Sequence, residues 1–573
     1  MTKLLLSAFL FASLAATAQL PVGMTPGERG MMPSYLSAFD SRSVNQYGIS
    51  TSPVSPVRAS AEWEEITHLM VTWTTYTPLI KEIIRAARLE THVIVICTDS
   101  NAVKTSLSNA PAVPLSNIDY IIAPFNTVWA RDYGQWNMYT NDVDSLLLFD
   151  WIYNRPRPRD DTIPSAISRY TGLPLYLATT APNDLVHTGG NFMVDGFGTA
   201  FSSELVLQEN PTKTPAQIDS IMAHYFGISR YIKMPVLPYD GIHHIDMHMK
   251  LLDEQTILFG EYPAGVSDGP QIEANLLYVL SNYNSVYGSP YKIIRIPMPP
   301  GTGGSWPSSG GDYLTYTNSV FINNTVLVPT YNPQYDTTAL RIYRDALPGY
   351  TVTGLDCNSI ISASGAIHCI TKEVSTSDPL LISHQPLPDT YDHSNPYHVY
   401  ARIQHRSGIA SAEIFYRTDT TQPYVSVPMI QAADPRYWQG FIPAQPAGTR
   451  IFYYVQATSI SGKQQARPMP APLGFWKFDV LQPAAIEELP GMTAGDIFPN
   501  PSHGITCIPV VAKPDVNLHI YLADIAGRKI RDIFLGRPRG ENYFVETGQD
   551  APGMYLVVYE AGSSRIVKKL AIK

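Results

Sequence analysis

Four side chains scattered along this sequence share a chemistry. Cys369 lies in Gly365-Ala366-Ile367-His368-Cys369-Ile370-Thr371, and Asp132 lies in Val128-Trp129-Ala130-Arg131-Asp132-Tyr133-Gly134. His244 and Asp246 share the segment Gly241-Ile242-His243-His244-Ile245-Asp246-Met247-His248. A thiolate is a strong nucleophile, an imidazole moves protons near neutral pH, and carboxylates accept hydrogen bonds from a planar cation. Gathered in one cavity, the four would hold a flat cation such as a guanidinium by its edges, attack its central carbon and protonate the departing amine.

Each residue also has a plainer reading. A cysteine on a short strand entering from a glycine-containing loop is often core structure. Asp132 can pair locally with Arg131. Three histidines and an aspartate within six residues resemble a metal-ligand cluster. Against the metal, alternation along a strand sends His243 to the face opposite His244 and Asp246, and no distant His or Cys pair completes a tetrahedral set. No metal or organic cofactor is expected, and no calcium loop of the EF-hand type is found. A further feature is Tyr153-Asn154-Arg155-Pro156-Arg157-Pro158-Arg159, whose alternating arginines and prolines predict a stiff, extended, positive strip suited to a carboxylate, or else a solvated loop.

The elements that must position these residues follow from apolar patterning. Runs at Leu69 to Trp73, Val93 to Cys97, Leu146 to Phe149, Thr256 to Phe259 and Val320 to Val328 predict strands, and they alternate with amphipathic stretches such as Leu79 to Leu89. This marks a mixed αβ domain over 59–375. A polar, Pro-containing stretch follows, then two-residue alternation as in Tyr397-His398-Val399-Tyr400-Ala401 predicts a β-sandwich over 376–482. A linker at 483–492 precedes a third, smaller β-domain at 493–573. Residues 1–18 read as a signal peptide: Lys3, an apolar run from Leu4 to Ala16 and the small-residue site Ala16-Thr17-Ala18. Residues 19–58 read as a propeptide or N-terminal arm without obvious chemistry.

With 573 residues, 45% hydrophobic and 16% charged, the chain is too apolar for a disordered protein. A net charge of −9 without basic blocks excludes the footprint of a nucleic-acid binder. No stretch reaches the roughly 20 apolar residues of a membrane helix, so no transmembrane span is expected. Four cysteines do not make a disulfide framework for an exported chain. Cys97, in His92 to Cys97, and Cys357, after the strand-like Gly354-Leu355-Asp356, read as core residues; a bridge between Cys357 and Cys369 would abolish the activity outlined above.

Taken in order, Trp-x-Arg-Asp-Tyr-Gly at 129–134, His-Thr-Gly-Gly-Asn at 187–191, His-x-Asp at 244–246 and Gly-x-Ile-His-Cys-Ile-Thr at 365–371 resemble the guanidino-group-modifying enzymes, and within them the agmatine deiminase and bacterial peptidylarginine deiminase family. The resemblance implies a five-bladed α/β propeller (pentein) for 59–375, with Cys369 as nucleophile, His244 as general acid and then base, and Asp132 and Asp246 as the guanidinium clamp. It also implies that Asn318, in Tyr316-Thr317-Asn318-Ser319, lies beside the thiolate, that Trp129 packs near the substrate, and that Arg155 and Arg157 hold the α-carboxylate of a C-terminal arginine. The sandwich resembles the immunoglobulin-like domain that follows the catalytic domain in that family. The last 80 residues or so resemble a type IX secretion sorting domain, through Phe498-Pro499-Asn500-Pro501, Asp524-Ile525-Ala526-Gly527-Arg528 and Pro552-Gly553-Met554-Tyr555-Leu556-Val557-Val558. The expected partners are therefore arginine-containing peptides or proteins and the type IX machinery, with export to the cell surface. Rival readings are a deiminase of agmatine or free arginine, and a surface adhesin that no longer turns over.

Overall fold

The computed structural model describes residues 20–573 except 43–46, 483–486, 490–491, 503, 514, 539–541, 549 and 563. The expected signal peptide and most of the expected 483–492 linker lie outside the described residues. The chain divides into two compact units, one running up to Leu387 with Tyr397–Ile442 and Phe452–Lys477, the other made of Pro388–Pro396, Pro443–Ile451 and Phe478–Lys573.

In the first unit one pattern recurs five times: a strand with an antiparallel neighbour leads through a helix to a parallel strand. Ile66–Thr72 passes through helix Thr77–Ala87 to His92–Cys97. Leu146–Tyr153 passes through Ile163–Thr171 to Leu175–Ala178. The remaining three pairs are Thr199–Ser203 with Arg230–Met234, Thr256–Glu261 with Lys292–Pro297, and Thr325–Thr330 with Thr351–Asp356. The helices are set by side-chain spacing. In Thr77–Ala87, Leu79, Ile80, Ile83, Ile84 and Ala87 fall on one buried stripe, and Pro78 sits in the first turn, where its missing N–H costs nothing. The apolar run from Val320 to Val328 is two strands rather than one, because Asn323 turns at φ 51° and folds Val320–Ile322 back on Thr325–Thr330. The five units are joined end to beginning, since Lys372–Ser375 pairs antiparallel with Ile66–Thr72.

The N-terminal arm carries a helix, Pro26–Arg42, that its weak apolar periodicity does not announce. Thr25 and Glu28 form a capping box: Glu28 Oε2 accepts from Thr25 N at 2.8 Å, and Thr25 Oγ1 accepts from Glu28 N at 3.2 Å. Buried Tyr35 fastens the helix against Ile152 and Val186.

Beyond residue 380 the first unit continues as two antiparallel sheets, one built on Tyr397–Gln404 and Tyr437–Ile442, the other on Ile409–Arg417 and Arg450–Ser459. Tyr397–Gln404 alternates buried with exposed residues, as its two-residue period requires. The second unit is all β over its last 80 residues or so, with Leu518–Ala523 between Lys529–Gly536 and Gly553–Ala561. Its core holds Ile508, Val510, Ile520, Val557 and Leu570. No helix among the described residues is long and apolar enough to cross a membrane.

Candidate active site

The residues singled out for chemistry are delivered by turns at the ends of strands. Cys369 sits in a single 3-10 turn, His368–Ile370, immediately before strand Lys372–Ser375, and not on a strand as the sequence suggested. Ile367 and Ile370 are driven inward, and Thr371 Oγ1 closes the turn by donating to Ile367 O at 2.9 Å. His244 and Asp246 likewise flank and enter a 3-10 turn, Ile245–Met247, so strand alternation does not govern them. The turn is held by Thr317 Oγ1 donating to Asp246 O at 3.0 Å. Asp132 stands in the four-residue helix Ala130–Tyr133, anchored by the 2.6 Å bond between Tyr133 Oη and Thr72 Oγ1.

Turns succeed here because a strand shows one face to a cavity whereas a turn aims one side chain at a point. They bring Cys369, Asp246, Asn318, Asp132 and His244 together with essentially no exposure. Asn318 Nδ2 lies 3.2 Å from Cys369 Sγ, and its Oδ1 accepts from Ala366 N at 3.2 Å and Cys369 N at 3.3 Å. One amide thus holds the sulfur and the loop that carries it. Asp246 Oδ2 is 3.7 Å from the same sulfur. His244 Nδ1 stands 3.6 Å from Asp132 Oδ1.

The glycines of the 187–191 motif have a steric cause. A Cβ on Gly190 would fall 2.4 Å from His244 Nδ1 and 2.9 Å from Asp132 Oδ1. Without it, Gly190 N donates to Asp132 Oδ1 at 3.0 Å.

Burial shapes the charges. Desolvation, and then the neighbouring charge of Asp246, push the Asp132 carboxyl up to about 7, with Arg155 pulling the other way. Desolvation followed by the positive Arg155 holds His244 well below its usual range, so it is neutral at rest. Desolvation, then Asp246 and Asp132, push the Cys369 thiol well above its ordinary value against the hydrogen bonds from Ala366 and Asn318. The resting sulfur is a thiol. Asp132 Oδ2, Asp246 Oδ1 and both ring nitrogens of His244 are buried without a hydrogen-bond partner. The two carboxylate oxygens and the one acceptor nitrogen of the neutral imidazole fit a ligand rich in N–H donors and carrying positive charge.

Beneath the site lies a lattice of buried ions that the sequence reading did not assign. His368 bridges Asp246 Oδ2 at 2.7 Å and Glu62 Oε2 at 3.0 Å, and Lys250 pairs with Glu62 at 2.5 Å. Arg131 pairs with Glu373 at 2.9 Å and donates to His368 O, so the local Arg131–Asp132 pair does not form. His368 was visible as the neighbour of Cys369 in its motif; Glu62 had no local signal. Cys97, Cys357, Cys369 and Cys507 form no disulfide among the described residues. Among the described residues, the His/Cys/Asp/Glu group with ligand atoms within 4.8 Å of one another is His68, His92 and Asp119, which includes none of His243–His248.

The arginine strip is not extended, and only its last residues, Pro158 and Arg159, are exposed. It turns directly after the strand ending at Tyr153, with Arg157 N donating to Arg155 O at 2.7 Å, and both arginines are buried. Arg155 lies 3.6 Å from Glu209, and Arg157 pairs with Glu28 at 2.7 Å. Trp129 is fully buried, and its Nε1 donates to Leu20 O at 2.9 Å. The arm at 19–58 therefore reaches the functional region, against the expectation that it has no chemistry. Its capping box, Thr25-Pro26-Gly27-Glu28, was the local signal.

Comparison with known proteins agrees with this geometry. Residues 56–374 match the model of the Porphyromonas-type peptidyl-arginine deiminases, and residues 496–573 match a secretion-system C-terminal sorting domain. A Streptomyces avermitilis protein bearing the name agmatine deiminase is 25% identical over 357 residues, covering 57% of this chain and 99% of its own. One from Legionella pneumophila is 26% identical over 282 residues, covering 46% and 77%. Among solved structures, a Porphyromonas gingivalis protein named as an arginine deiminase aligns with a TM-score of 0.50 at 22% identity, over 56% of this chain and 99% of that one. The agmatine deiminase of Enterococcus faecalis aligns at 0.50 and 19%, over 57% and 100%. The fold neighbours are of the pentein type, and the sorting domain marks the chain for export and attachment at the cell surface.

Proposed function

Because the chain belongs to the Porphyromonas-type peptidyl-arginine deiminase family, hydrolases of amidine C–N bonds, we propose that it converts peptidyl-arginine, with the arginine at the peptide's C-terminus, to citrulline and ammonia. The observation that carries this reading is a buried carboxylate subsite beside the clamp: Arg157 Nε holds the Glu28 carboxylate at 2.7 Å, and Arg155 acts electrostatically on both Asp132 and His244. A peptide ending in arginine has an α-carboxylate for such a subsite, and agmatine has none.

The guanidinium lies between Asp132 and Asp246 and donates to their unpartnered oxygens. Its positive charge offsets the two carboxylates that keep Cys369 protonated, so the thiol proton passes to neutral His244 as the sulfur attacks the guanidinium carbon. The carbon–sulfur bond forms, the imidazolium protonates the departing nitrogen, and ammonia leaves an S-alkyl thiouronium. His244 then takes a proton from water as its oxygen adds to the same carbon. Collapse breaks the carbon–sulfur bond and releases citrulline. Asn318 steadies the sulfur, and Trp129 packs beside the substrate.

On this reading 59–375 is a five-bladed α/β propeller, 376–482 an immunoglobulin-like sandwich and 493–573 the sorting domain read by the type IX machinery. The relatives named agmatine deiminase favour agmatine as the second candidate. Mass spectrometry of three substrates separates the cases: a peptide ending in arginine, the same peptide with internal arginine, and agmatine. The proposal requires exchange of one nitrogen for oxygen fastest in the first, and preferential turnover of agmatine would overturn it.

A further inference from the structure

The segment before the N-terminal helix lies in the first unit as a peptide bent at Val22 and Gly23 and lodged beside the site. Its main chain is gripped residue by residue. Trp129 Nε1 donates to Leu20 O at 2.9 Å, Arg157 Nη2 donates to Pro21 O at 2.7 Å and to Gly23 O at 3.2 Å, and Arg155 Nε donates to Val22 O at 3.0 Å. In return Val22 N donates to Ala363 O at 3.3 Å, on the loop that leads to Cys369. The Val22 side chain is fully buried and touches the space a Cβ on Gly365 would fill, 3.1 Å from that point, which is equally 3.1 Å from Cys369 Cβ. Glu28 closes the row by giving its carboxylate to Arg157.

These are the features of a substrate held by a peptide enzyme. Three side chains read consecutive carbonyls, and one arginine also reads a carboxylate. The hydrogen bonds to residues 20–23 go to backbone atoms, so the groove holds the peptide main chain independently of most of its side chains, with Val22 as the buried exception. Trp129, Arg155 and Arg157 are the same three residues assigned to the substrate. They cannot serve two peptides at once, and with the segment seated every group of the clamp is sealed from solvent.

We propose that Leu20–Glu28 is an intramolecular pseudosubstrate, an autoinhibitory strap that fills the peptide-binding groove and must be displaced or removed before an arginine peptide enters. This rests on the reading that the site takes peptidyl-arginine. The strap is tied by Glu28 and by buried Val22, and the helix Pro26–Arg42 keeps it at high local concentration once released. Closure is thus reversible by a competing peptide while the segment stays attached, and opening is permanent only once the segment is removed.

Two substitutions in the full chain test this. Val22→Asp forces a carboxylate into an apolar contact and should expel the strap; Glu28→Gln removes its ion pair with Arg157. Two readouts are taken on each: alkylation of Cys369 by iodoacetamide, with buried Cys357 as the internal control for unfolding, and citrulline formed from a peptide ending in arginine. We expect Cys369 alkylation to rise at least tenfold in Val22→Asp, with Cys357 unchanged, and turnover at low substrate to rise in parallel. A synthetic peptide of residues 19–30 added to Val22→Asp should restore inhibition, competitively with substrate. Unchanged Cys369 alkylation in both variants, or failure of the peptide to slow it, overturns the strap. Faster alkylation with no citrulline from any peptide keeps the strap and refutes the substrate reading, so the two failures are distinguishable.

Discussion

Replacing Asp132 by Asn should stabilise the protein above pH 7 while abolishing turnover. Asp132 is buried, one of its oxygens has no partner, and its carboxyl is pushed from an ordinary 3.8 to about 7 by desolvation and by Asp246. A carboxyl raised in the folded state favours folding only while protonated. Its contribution is complete below about pH 4 and is lost as pH rises through 7. At about 1.4 kcal/mol per pH unit, the window from 3.8 to about 7 amounts to roughly 4 kcal/mol as a ceiling. Asn keeps the oxygen that accepts from Gly190 N and carries no charge, so the variant escapes this loss. Urea denaturation followed by tryptophan fluorescence is the suitable assay, because all eight tryptophans lie in the first unit. The Asn-minus-Asp difference in stability should widen by at least about 2 kcal/mol between pH 5 and pH 8. Parallel curves across that range, or a variant that loses ground as pH rises, would refute the electrostatic account of the clamp.

Gly190→Ala places a methyl 2.4 Å from His244 Nδ1, and the resulting displacement should lower kcat about 10²-fold while thermal unfolding moves little, as read by steady-state kinetics beside calorimetry. Asn318→Ala removes the amide that donates to Cys369 Sγ and accepts from two backbone N–H groups. It should cost about 10²-fold in kcat with the covalent intermediate accumulating less in quenched-flow mass spectrometry, and an unchanged kcat would remove Asn318 from the reaction.

The gathering of the candidate side chains was legible in the sequence because they are residue types that few other roles demand together. Cys369, His244, Asp246 and Asp132 could be named from three short motifs, and the apolar runs around Leu69, Val93 and Leu146 located strands that exist. Legibility failed where geometry is decided by distant packing. The turns holding His244 and Cys369 read as strands, since a three-residue 3-10 turn is too short to leave a periodic pattern of its own. Glu62 and His368 meet across 306 positions, a pairing that no local pattern encodes. The arm escaped notice because backbone atoms make most of its contacts, and backbone atoms have no sequence signature.

The joining strand Lys372–Ser375 follows Cys369 by only three residues and finds its partner at the opposite end of the catalytic region. A chain still emerging, or one cut short before Ser375, therefore has its acids and imidazole but no anchored sulfur. Strand pairing over so long a span is entropically slow and comes late. Assembly of the site therefore waits until nearly the whole of residues 66–375 is in place.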